Sequence, residues 1–426
     1  MNTVTSLRKE TSKLKHYSHC RICLSKDIDT VVRLAPTPPA DMFLPEKEKE
    51  NSNVRYPLDV GICLNCSYLH LRWVLSPEII YPEFSYLTAS TVGLIQHYDQ
   101  YVRSLSEFIE LGPGDLIVDI GSNDGSFLKA FKSTGARILG VEPSNEVAKI
   151  ANREVPTICS FFDSEATQKI ISSDGRASVV TANYMYANVE NVLEFTRNIK
   201  ELLAKDGLFI VQTGYHPDQM KLFMFDYIYH EHLSYFSVSV LDLIFRKCGL
   251  ELIHVERNDM KGGSIRVVGQ HVGGKRKLDD SVEQFLADEL SGKFDSRETY
   301  RAFDTAVQTK GQRVNEMLSD LVANGKRIVG YGASHSTTTL IYHFGIGKYL
   351  EYLVDDNELK HFISKTCIGE SCSICGNPAS HKVGEEVPHE EPNPFRHNYT
   401  AYVCCAHFRM IFGPAVLCPS DNGAKS

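Results

Sequence analysis

The densest group of proton-transferring side chains lies in the run FDYIYHEHLSYF, residues 225–236. A histidine beside a carboxylate in a partly desolvated pocket can titrate near neutrality and remove an activated proton, and Glu231 and His232 form such a pair. Two other interpretations stay open. His230 and His232 could ligate a metal, although no third ligand is evident, or the run could be an aromatic core segment. The residue types favour acid–base chemistry.

A second candidate site is the run IVDIGSNDGSFL, residues 117–128, in which an apolar stretch leads into a glycine-containing turn and a helix start. Gly121 and Gly125 allow close backbone approach to a ligand, but they lack the tight spacing that a dinucleotide pyrophosphate requires. Glu142 ends the next apolar run, where a carboxylate can accept both ribose hydroxyls. The combination favours S-adenosylmethionine over a dinucleotide or a purely structural turn. The predicted cofactor residues are Asp119, Gly121, Asn123, Asp124, Gly125, Glu142 and Pro143.

Two Cys-x-x-Cys pairs near the start of the chain predict a structural zinc site made by Cys20, Cys23, Cys63 and Cys66. Four thiolates fill a tetrahedral shell, which leaves no position for a catalytic water. The alternative is two pairs of buried free cysteines. A second zinc site is possible towards the other end, from Cys372, Cys375, Cys404 and His407. The competing interpretation is a tail of low order, because the run 387–394 is rich in Pro and Glu.

A last glycine turn lies in the run KRIVGYGASHST, residues 326–337. Its main-chain amides and hydroxyls could hold a diphosphate, and a second NAD site is the alternative.

The elements that must position these groups form an α/β pattern. Apolar runs at 116–120, 138–141, 178–182, 208–212 and 250–255 alternate with helical stretches. This rhythm predicts a doubly wound parallel sheet. Helical spacing before this region, from Leu94 to Ile109, predicts a connecting helix, and residues 279–324 predict two more helices.

The charge and the apolar content of the chain restrict which kinds of partner we expect. The chain has 426 residues and a formal net charge of −8, with no basic stripe that would indicate nucleic acid. No apolar run approaches the roughly 20 residues of a membrane helix, and the first residues carry no apolar signal segment. We therefore expect a cytoplasmic monomer or small homo-oligomer that acts on a small molecule, without membrane or nucleic-acid partners.

Together, the cysteine pairs, the VDIGSNDGSF turn and the FDYIYHEHLSYFS run resemble the nucleotide-sugar C-3 methyltransferases of deoxysugar pathways, from about residue 18 to residue 360. The resemblance implies a zinc-binding module at 16–80, a Rossmann-like S-adenosylmethionine-dependent methyltransferase domain at 85–258 and a Rossmann-like substrate domain at 259–365. Residues 366–426 then form a divergent Cys/His-rich tail, and the substrate domain would be truncated if this tail does not complete its sheet. The implied substrate is a 4-keto-deoxysugar linked to a nucleoside diphosphate, methylated at C3 through an enolate.

The resemblance also implies residue roles. His232 becomes the base, Tyr229 and Glu231 position it or the substrate, and Tyr86 is a candidate proton donor. The implied substrate contacts are Asn188, His230, Gly330, Gly332 and Ser334. One departure stands out, because relatives usually carry histidine where this chain has Asn188, which can donate a hydrogen bond but cannot shuttle a proton.

Two alternatives remain open at this point. The chain could methylate an oxygen or nitrogen of another small molecule, or of RNA, against which the negative charge argues. It could also be a catalytically impaired protein that binds only cofactor or nucleotide-sugar, as the altered tail and Asn188 would suggest.

Overall fold

The computed structural model describes residues 13–40, 54–80, 87–88, 94–354, 400–402 and 409–411. It divides into two compact units, of which the first takes its residues from the ranges 1–32, 59–222 and 231–301, and the second from 33–58, 223–230 and 302–426. The chain therefore passes several times from one unit to the other. Among the described residues, no helix combines the length and apolar character needed to span a bilayer.

The strands are β1 (Leu14–His16), β2 (Ile28–Thr37), β3 (Tyr56–Cys63), β4 (Leu69–Leu71), β5 (Trp73–Leu75), β6 (Leu116–Ile120), β7 (Arg137–Glu142), β8 (Thr157–Cys159), β9 (Ala177–Asn183), β10 (Leu203–Gly214), β11 (Ser234–Tyr235), β12 (Leu250–Asn258), β13 (Ser264–His271), β14 (Ile328–Tyr331), β15 (Leu350–Val354), β16 (Thr400–Tyr402) and β17 (Arg409–Ile411). The α-helices are α1 (Pro77–Ile80), α2 (Leu94–Ser104), α3 (Ser126–Ala130), α4 (Asn145–Ala151), α5 (Ser164–Asp174), α6 (Val192–Leu202), α7 (His216–Lys221), α8 (Val238–Lys247), α9 (Asp280–Ser291), α10 (Arg297–Ala323) and α11 (His335–Phe344).

The first unit is built on a seven-stranded sheet with the order β12-β13-β10-β9-β6-β7-β8. Six strands run in one direction, and β13 runs against both of its neighbours. Successive side chains of a strand point to opposite faces, so Val118 packs in the core on one face and Ile117 in the core on the other. The predicted doubly wound α/β fold is confirmed, with one antiparallel strand that the rhythm did not predict.

The sheet extends past residue 258, where the sequence placed the end of the cofactor domain. The pairing of β13 with β10 runs in register from Leu208 with Gln270 to Gly214 with Ser264. Seven of the eight residues of β13 are buried, as expected for a strand between two others. The helix α9 that follows also belongs to the first unit.

A small β module in the same unit carries the four N-terminal cysteines. Here β1 pairs with β5, and β4 pairs antiparallel with β3 and with β11. The buried guanidinium of Arg21 reaches out of this module and donates to the main-chain carbonyls of Glu190 (2.9 Å) and Leu233. A buried charge with several acceptors fixes geometry strongly, so the module holds the loops after Asn188 and His232 in place.

The second unit contains β14 and β15, which pair in parallel, together with α11 and most of α10. The segment 223–230 packs on α11, because the Phe225 and Phe344 rings stack at 4.8 Å and the Thr339 hydroxyl donates to the carbonyl of Ile228 at 2.8 Å. Farther along the chain, β16 and β17 form an antiparallel pair. The tyrosine that precedes the histidines is thereby attached to the helix that follows the last glycine turn.

Candidate functional site

The glycine turn of the first unit has the backbone that a close ligand requires. Gly121 and Gly125 have φ of 71° and 76°, in the left-handed region that glycine tolerates best. A Cβ on Gly121 would come within 2.8 Å of Met185 Cγ, so no larger residue fits there. Asn123 also has a positive φ, and its side-chain oxygen accepts from the Thr88 amide at 2.8 Å. The conformation of the turn is therefore fixed by its left-handed residues and by contacts with Met185 and Thr88.

Two buried carboxylates flank this turn. Glu142, at the end of β7, accepts from the amides of Asn123 (3.0 Å) and Ser144 (2.9 Å), one on each oxygen. Asp119 accepts from the Thr181 hydroxyl at 2.6 Å. Burial raises the pKa of Asp119 to about 7 and raises the pKa of Glu142. Both groups gain from a ligand that brings hydroxyl or ammonium donors, which matches the ribose and amino groups of S-adenosylmethionine.

The end of β9 adds an unsatisfied acceptor to the same place. Asn183 donates to Asp119 at 3.3 Å, while its own side-chain oxygen is buried without a hydrogen-bond partner. Buried polar atoms are rarely left so, and a missing ligand is one ordinary reason. Asp119, Asn123, Glu142 and Asn183 therefore lie around the glycine turn, and the chemistry of these residues fits S-adenosylmethionine. The predicted cofactor-binding role of each residue stays a prediction.

The Tyr-His-Glu-His run is divided between the units. Tyr229 and His230 fall in the second unit, and Glu231 and His232 fall in the first. Glu231 and His232 are half-buried, and Leu233 separates them from β11. The residues that follow this pair contact the end of β10. Phe236 forms a β-bridge with Tyr215, and the Phe236 carbonyl accepts from the His216 amide at 3.3 Å. Glu231 and His232 are therefore connected to the sheet edge where the parallel strands end.

The remaining predicted substrate residues occupy distinct settings. His230 is buried in the second unit, with Nε2 3.3 Å from the Tyr56 carbonyl and its ring edge-on to that tyrosine, which is a packing position. Asn188 is half-buried at the end of a 3₁₀ turn in the first unit, where its main-chain amide donates to the Met185 carbonyl.

The turn at 330–334 lies in the second unit and opens α11. Gly332 has φ of 95°, Ser334 is exposed at the N-cap, and the Ser334 amide donates to the Thr337 hydroxyl at 3.3 Å. Tyr229 lies close to this helix start, because its ring centroid is 5.5 Å from that of His335. The structure thus brings the predicted tyrosine and the predicted diphosphate turn together.

The N-terminal cysteines form a cluster suited to one tetrahedral ion. All four Sγ atoms lie within 4.8 Å of one another, with Cys20 to Cys66 at 3.6 Å and Cys23 to Cys63 at 3.5 Å. Zn–S bonds of about 2.3 Å in a tetrahedron place the sulfurs about 3.8 Å apart. The amides of Ile22 and Cys23 donate to Cys20 Sγ, as in a metal-binding turn. Burial raises the pKa of the Cys63 thiol, and a bound dication would lower it again and so favour the thiolate.

Several predicted residues lie outside the described part of the chain. Tyr86 is one of them. The possible second zinc ligands, Cys372, Cys375, Cys404 and His407, are others. Both assignments stay predictions.

Sequence reasoning missed Arg21 and Lys261. Arg21 stands between two cysteines of a zinc motif, and nothing in its spacing signals that it reaches across to other loops. Lys261 precedes the pair Gly262-Gly263, and that pair is a turn signal which would have placed a cation between two strands at the sheet edge.

Three family models match the chain in succession. Residues 20–81 match "Putative zinc binding domain", residues 95–255 match "Methyltransferase domain", and residues 259–376 match "C-methyltransferase C-terminal domain". The curated protein C-methyltransferase NovU of Streptomyces niveus is 33% identical over 343 residues, which cover 80% of this chain and 82% of that protein. The chain belongs to this C-methyltransferase family. It is an S-adenosylmethionine-dependent methyltransferase with an N-terminal zinc-binding domain.

Other similarities each cover less than half of the chain. The ribosomal RNA small subunit methyltransferase A of Lactobacillus johnsonii is 24% identical over 99 residues, covering 23% of this chain and 32% of that protein. Among solved structures, the complex of the Haloferax volcanii Trm112 activator and its methyltransferase aligns with 16% identity over 41% of this chain and 90% of that one, at a TM-score of 0.35. Magnesium protoporphyrin IX methyltransferase of Synechocystis PCC 6803 aligns with 14% identity over 42% of this chain and 79% of that one, at 0.32.

The family assignment narrows the alternatives from the sequence. Methylation of carbon is favoured over methylation of oxygen or nitrogen, since both the relative and the C-terminal model are C-methyltransferases. The family match also extends to residue 376, past the predicted domain end at 365.

Proposed function

We propose that the enzyme methylates C3 of a nucleoside-diphosphate-linked 4-keto-deoxysugar. The observation that carries this proposal is the position of the Glu231–His232 pair, connected through Phe236 to the sheet edge at which Asp119 and Glu142 flank the glycine turn. A base and a carboxylate connected to the edge of the sheet that carries the methyl-donor site suit deprotonation of carbon, whereas a hydroxyl or amine nucleophile has less need of such a pair.

The residues have separable tasks in this scheme. Bound S-adenosylmethionine supplies an electrophilic methyl group on its sulfonium. Glu142 holds the ribose hydroxyls, and Asp119 and Asn183 accept from the remaining donors of the cofactor. His232 removes the C3 proton, which the neighbouring C4 ketone acidifies, and Glu231 stabilises the imidazolium that forms. Asn188 and Tyr86 are candidate donors towards the sugar.

The nucleotide half of the substrate is assigned to the second unit. Ser334 and the amides after Gly332 present donors at the start of α11, where the helix dipole favours an anion. Tyr229, whose ring lies 5.5 Å from that of His335, orients the attached sugar. The four-cysteine zinc site has a structural task, since Arg21 beside it holds the loops that follow Asn188 and His232. We propose a second zinc site in the tail, with Cys372, Cys375, Cys404 and His407 as its ligands.

Exchange of the C3 proton with solvent tests the proposal. In D₂O, the wild-type enzyme with S-adenosylhomocysteine should exchange the C3 proton of a dTDP- or UDP-linked 4-keto-6-deoxyhexose, followed by NMR. His232→Ala should abolish this exchange while S-adenosylmethionine affinity stays within a few-fold. His254→Ala is the matched control, because His254 also pairs with a carboxylate, Asp279, but on β12 away from the turn. Exchange that persists in His232→Ala would assign the base to another residue.

A further inference from the structure

Lys261 occupies a position at the sheet edge that the scheme above does not use. It lies in the 3₁₀ turn Met260–Gly262 that joins β12 to β13. Because β12 runs in the same direction as β9 and β6, this connection is at the edge where those strands end. In open α/β sheets, ligands bind at that edge, beside the point where strand order reverses, which here lies between β6 and β9.

The side chain of Lys261 reaches the end of β9, one of the two strands that border that crevice. Its Nζ lies 4.2 Å from the ring centroid of Tyr184, the residue directly after β9. The Tyr184 ring is fixed in turn, because its hydroxyl accepts from Gln212 at 2.8 Å and its amide donates to the Gln212 carbonyl at 2.7 Å. A cation over the face of a fixed aromatic ring is held by the quadrupole of the ring. The ammonium is thus held over the Tyr184 ring, and Lys261 remains partly exposed to solvent.

The backbone dihedral angles of Lys261 are unusual, as is common for residues at ligand sites. Its φ and ψ are 50° and 37°, in the left-handed region that a residue with a Cβ seldom adopts. Two glycines follow with φ of 80° and 109°. Such backbone strain concentrates at ligand sites, where it directs a side chain.

The electrostatic setting makes Lys261 an unusually good proton donor. Burial lowers its pKa to about 8, and the charge of Glu231 partly opposes that shift. Tyr184 lies under the ammonium, and Gln212, which holds that ring, is also hydrogen-bonded to His97 of α2. Asp218 of α7, whose Cβ lies 3.8 Å from where a Cβ on Gly263 would be, is engaged by Arg257 at 2.9 Å. At neutral pH the side chain is therefore an ammonium that gives up its proton far more readily than an exposed lysine.

We propose that Lys261 is a catalytic residue whose ammonium donates a hydrogen bond to the C4 oxygen of the sugar as the enolate forms. This inference rests on the proposed function. When His232 takes the C3 proton, the C–H electron pair moves into a C3–C4 double bond and the C4=O pair moves onto oxygen, where the Lys261 N–H stabilises it. The enolate carbon then bonds to the donor methyl, the sulfur–methyl bond breaks with its electrons staying on sulfur, and C4=O re-forms while Lys261 keeps its proton.

This role predicts a specific pH profile. Below pH of about 8 Lys261 is the ammonium donor, and above it the neutral amine is a poor one, so kcat in the wild type should fall on the alkaline side with a midpoint near 8. Lys261→Arg keeps a cation that does not lose its proton in this range, so the alkaline fall should disappear even if the absolute rate drops several-fold. Lys261→Met removes the charge and should lower both C3 exchange and methyl transfer at least 100-fold at pH 7.5.

The experiment compares wild type, Lys261→Met, Lys261→Arg and Lys348→Met. Lys348 is the matched control, since its Nζ also lies over a tyrosine ring, that of Tyr349 at 4.8 Å, but outside the sheet. C3 exchange, methyl transfer and calorimetric S-adenosylmethionine affinity are measured with the same 4-keto nucleotide-sugars, and the titration of ¹³C-labelled lysine is followed by NMR. We expect a resonance titrating near pH 8 that Lys261→Met removes, with cofactor affinity unchanged within three-fold.

The outcomes separate the two proposals. If wild type exchanges the C3 proton and Lys261→Met does so at a similar rate, or if Lys261→Arg keeps the alkaline fall, the role of Lys261 is refuted and the proposed function stands. If wild type neither exchanges nor methylates C3 of any sugar in the panel, the proposed function fails and this inference fails with it. If Lys261→Met melts well below wild type, Lys261→Arg alone decides through its pH profile.

Discussion

The carboxylate at the end of β7 gives the sharpest test of the cofactor site. Glu142 uses one oxygen for the Asn123 amide (3.0 Å) and the other for the Ser144 amide (2.9 Å), so its orientation is fixed before any ligand arrives. Glu142→Gln keeps the shape, but one end becomes an NH₂ that faces an amide donor and cannot accept from a ribose hydroxyl. Losing one charge-assisted hydrogen bond costs about 1.5 to 3 kcal/mol. The dissociation constant for S-adenosylmethionine should therefore rise by about 10- to 150-fold.

Isothermal titration calorimetry measures this change directly. Glu146→Gln is the matched control, since Glu146 lies just beyond in α4 and makes only an exposed pair with Lys149. Exposed pairs contribute less than about 1 kcal/mol, so the control should bind like wild type. Affinity for S-adenosylmethionine within three-fold of wild type in Glu142→Gln, with the fold intact by circular dichroism, would show that Glu142 does not hold the ribose.

Three further predictions concern other parts of the first unit. Cys63→Ser should release one zinc per chain by mass spectrometry and lower methyl transfer more than cofactor affinity, because Arg21 then loses its support; unchanged zinc content would refute the four-cysteine site. In the folded protein the pKa of Asp119 is raised to about 7, so the wild type without ligand loses stability as pH rises from about 4 to 7. Asp119→Asn does not titrate, so its free energy of unfolding relative to wild type should rise across this window by up to about 1.4 kcal/mol per pH unit and then stay level. A gain in urea-unfolding free energy that is flat with pH would contradict this. Asn188→Ala should slow C3 exchange by about 10-fold without changing the melting temperature, and an unchanged rate would remove Asn188 from the substrate contacts.

The sheet of the first unit was largely predictable, because its strands are continuous apolar runs. The run 116–120 coincides with β6, and 138–141 and 178–182 fall within β7 and β9. The short strand β8 was missed, because three residues of mixed character carry no period. The strand β13 was assigned to the next domain, since nothing in its apolar run shows that it pairs between β10 and β12.

Sequence spacing predicted the cysteine cluster and the residues around the glycine turn, since each set is short in sequence or joined by adjacent strands. Sequence spacing could not predict contacts between segments that are far apart in the sequence. Arg21 reaches Leu233, and Lys261 lies over Tyr184, only because the fold brings separate loops together. The division of the Tyr-His-Glu-His run between two units was also invisible, because four consecutive residues give no sign that a boundary passes between His230 and Glu231.

The most direct test of the central claim is where the methyl group goes. The enzyme is incubated with S-adenosylmethionine labelled with ¹³C in its methyl group and with the 4-keto nucleotide-sugar, and the product is examined by carbon–proton correlation NMR. We predict that the labelled carbon is bonded to sugar C3, which no longer bears its original proton. A labelled carbon attached to oxygen or nitrogen would contradict the account.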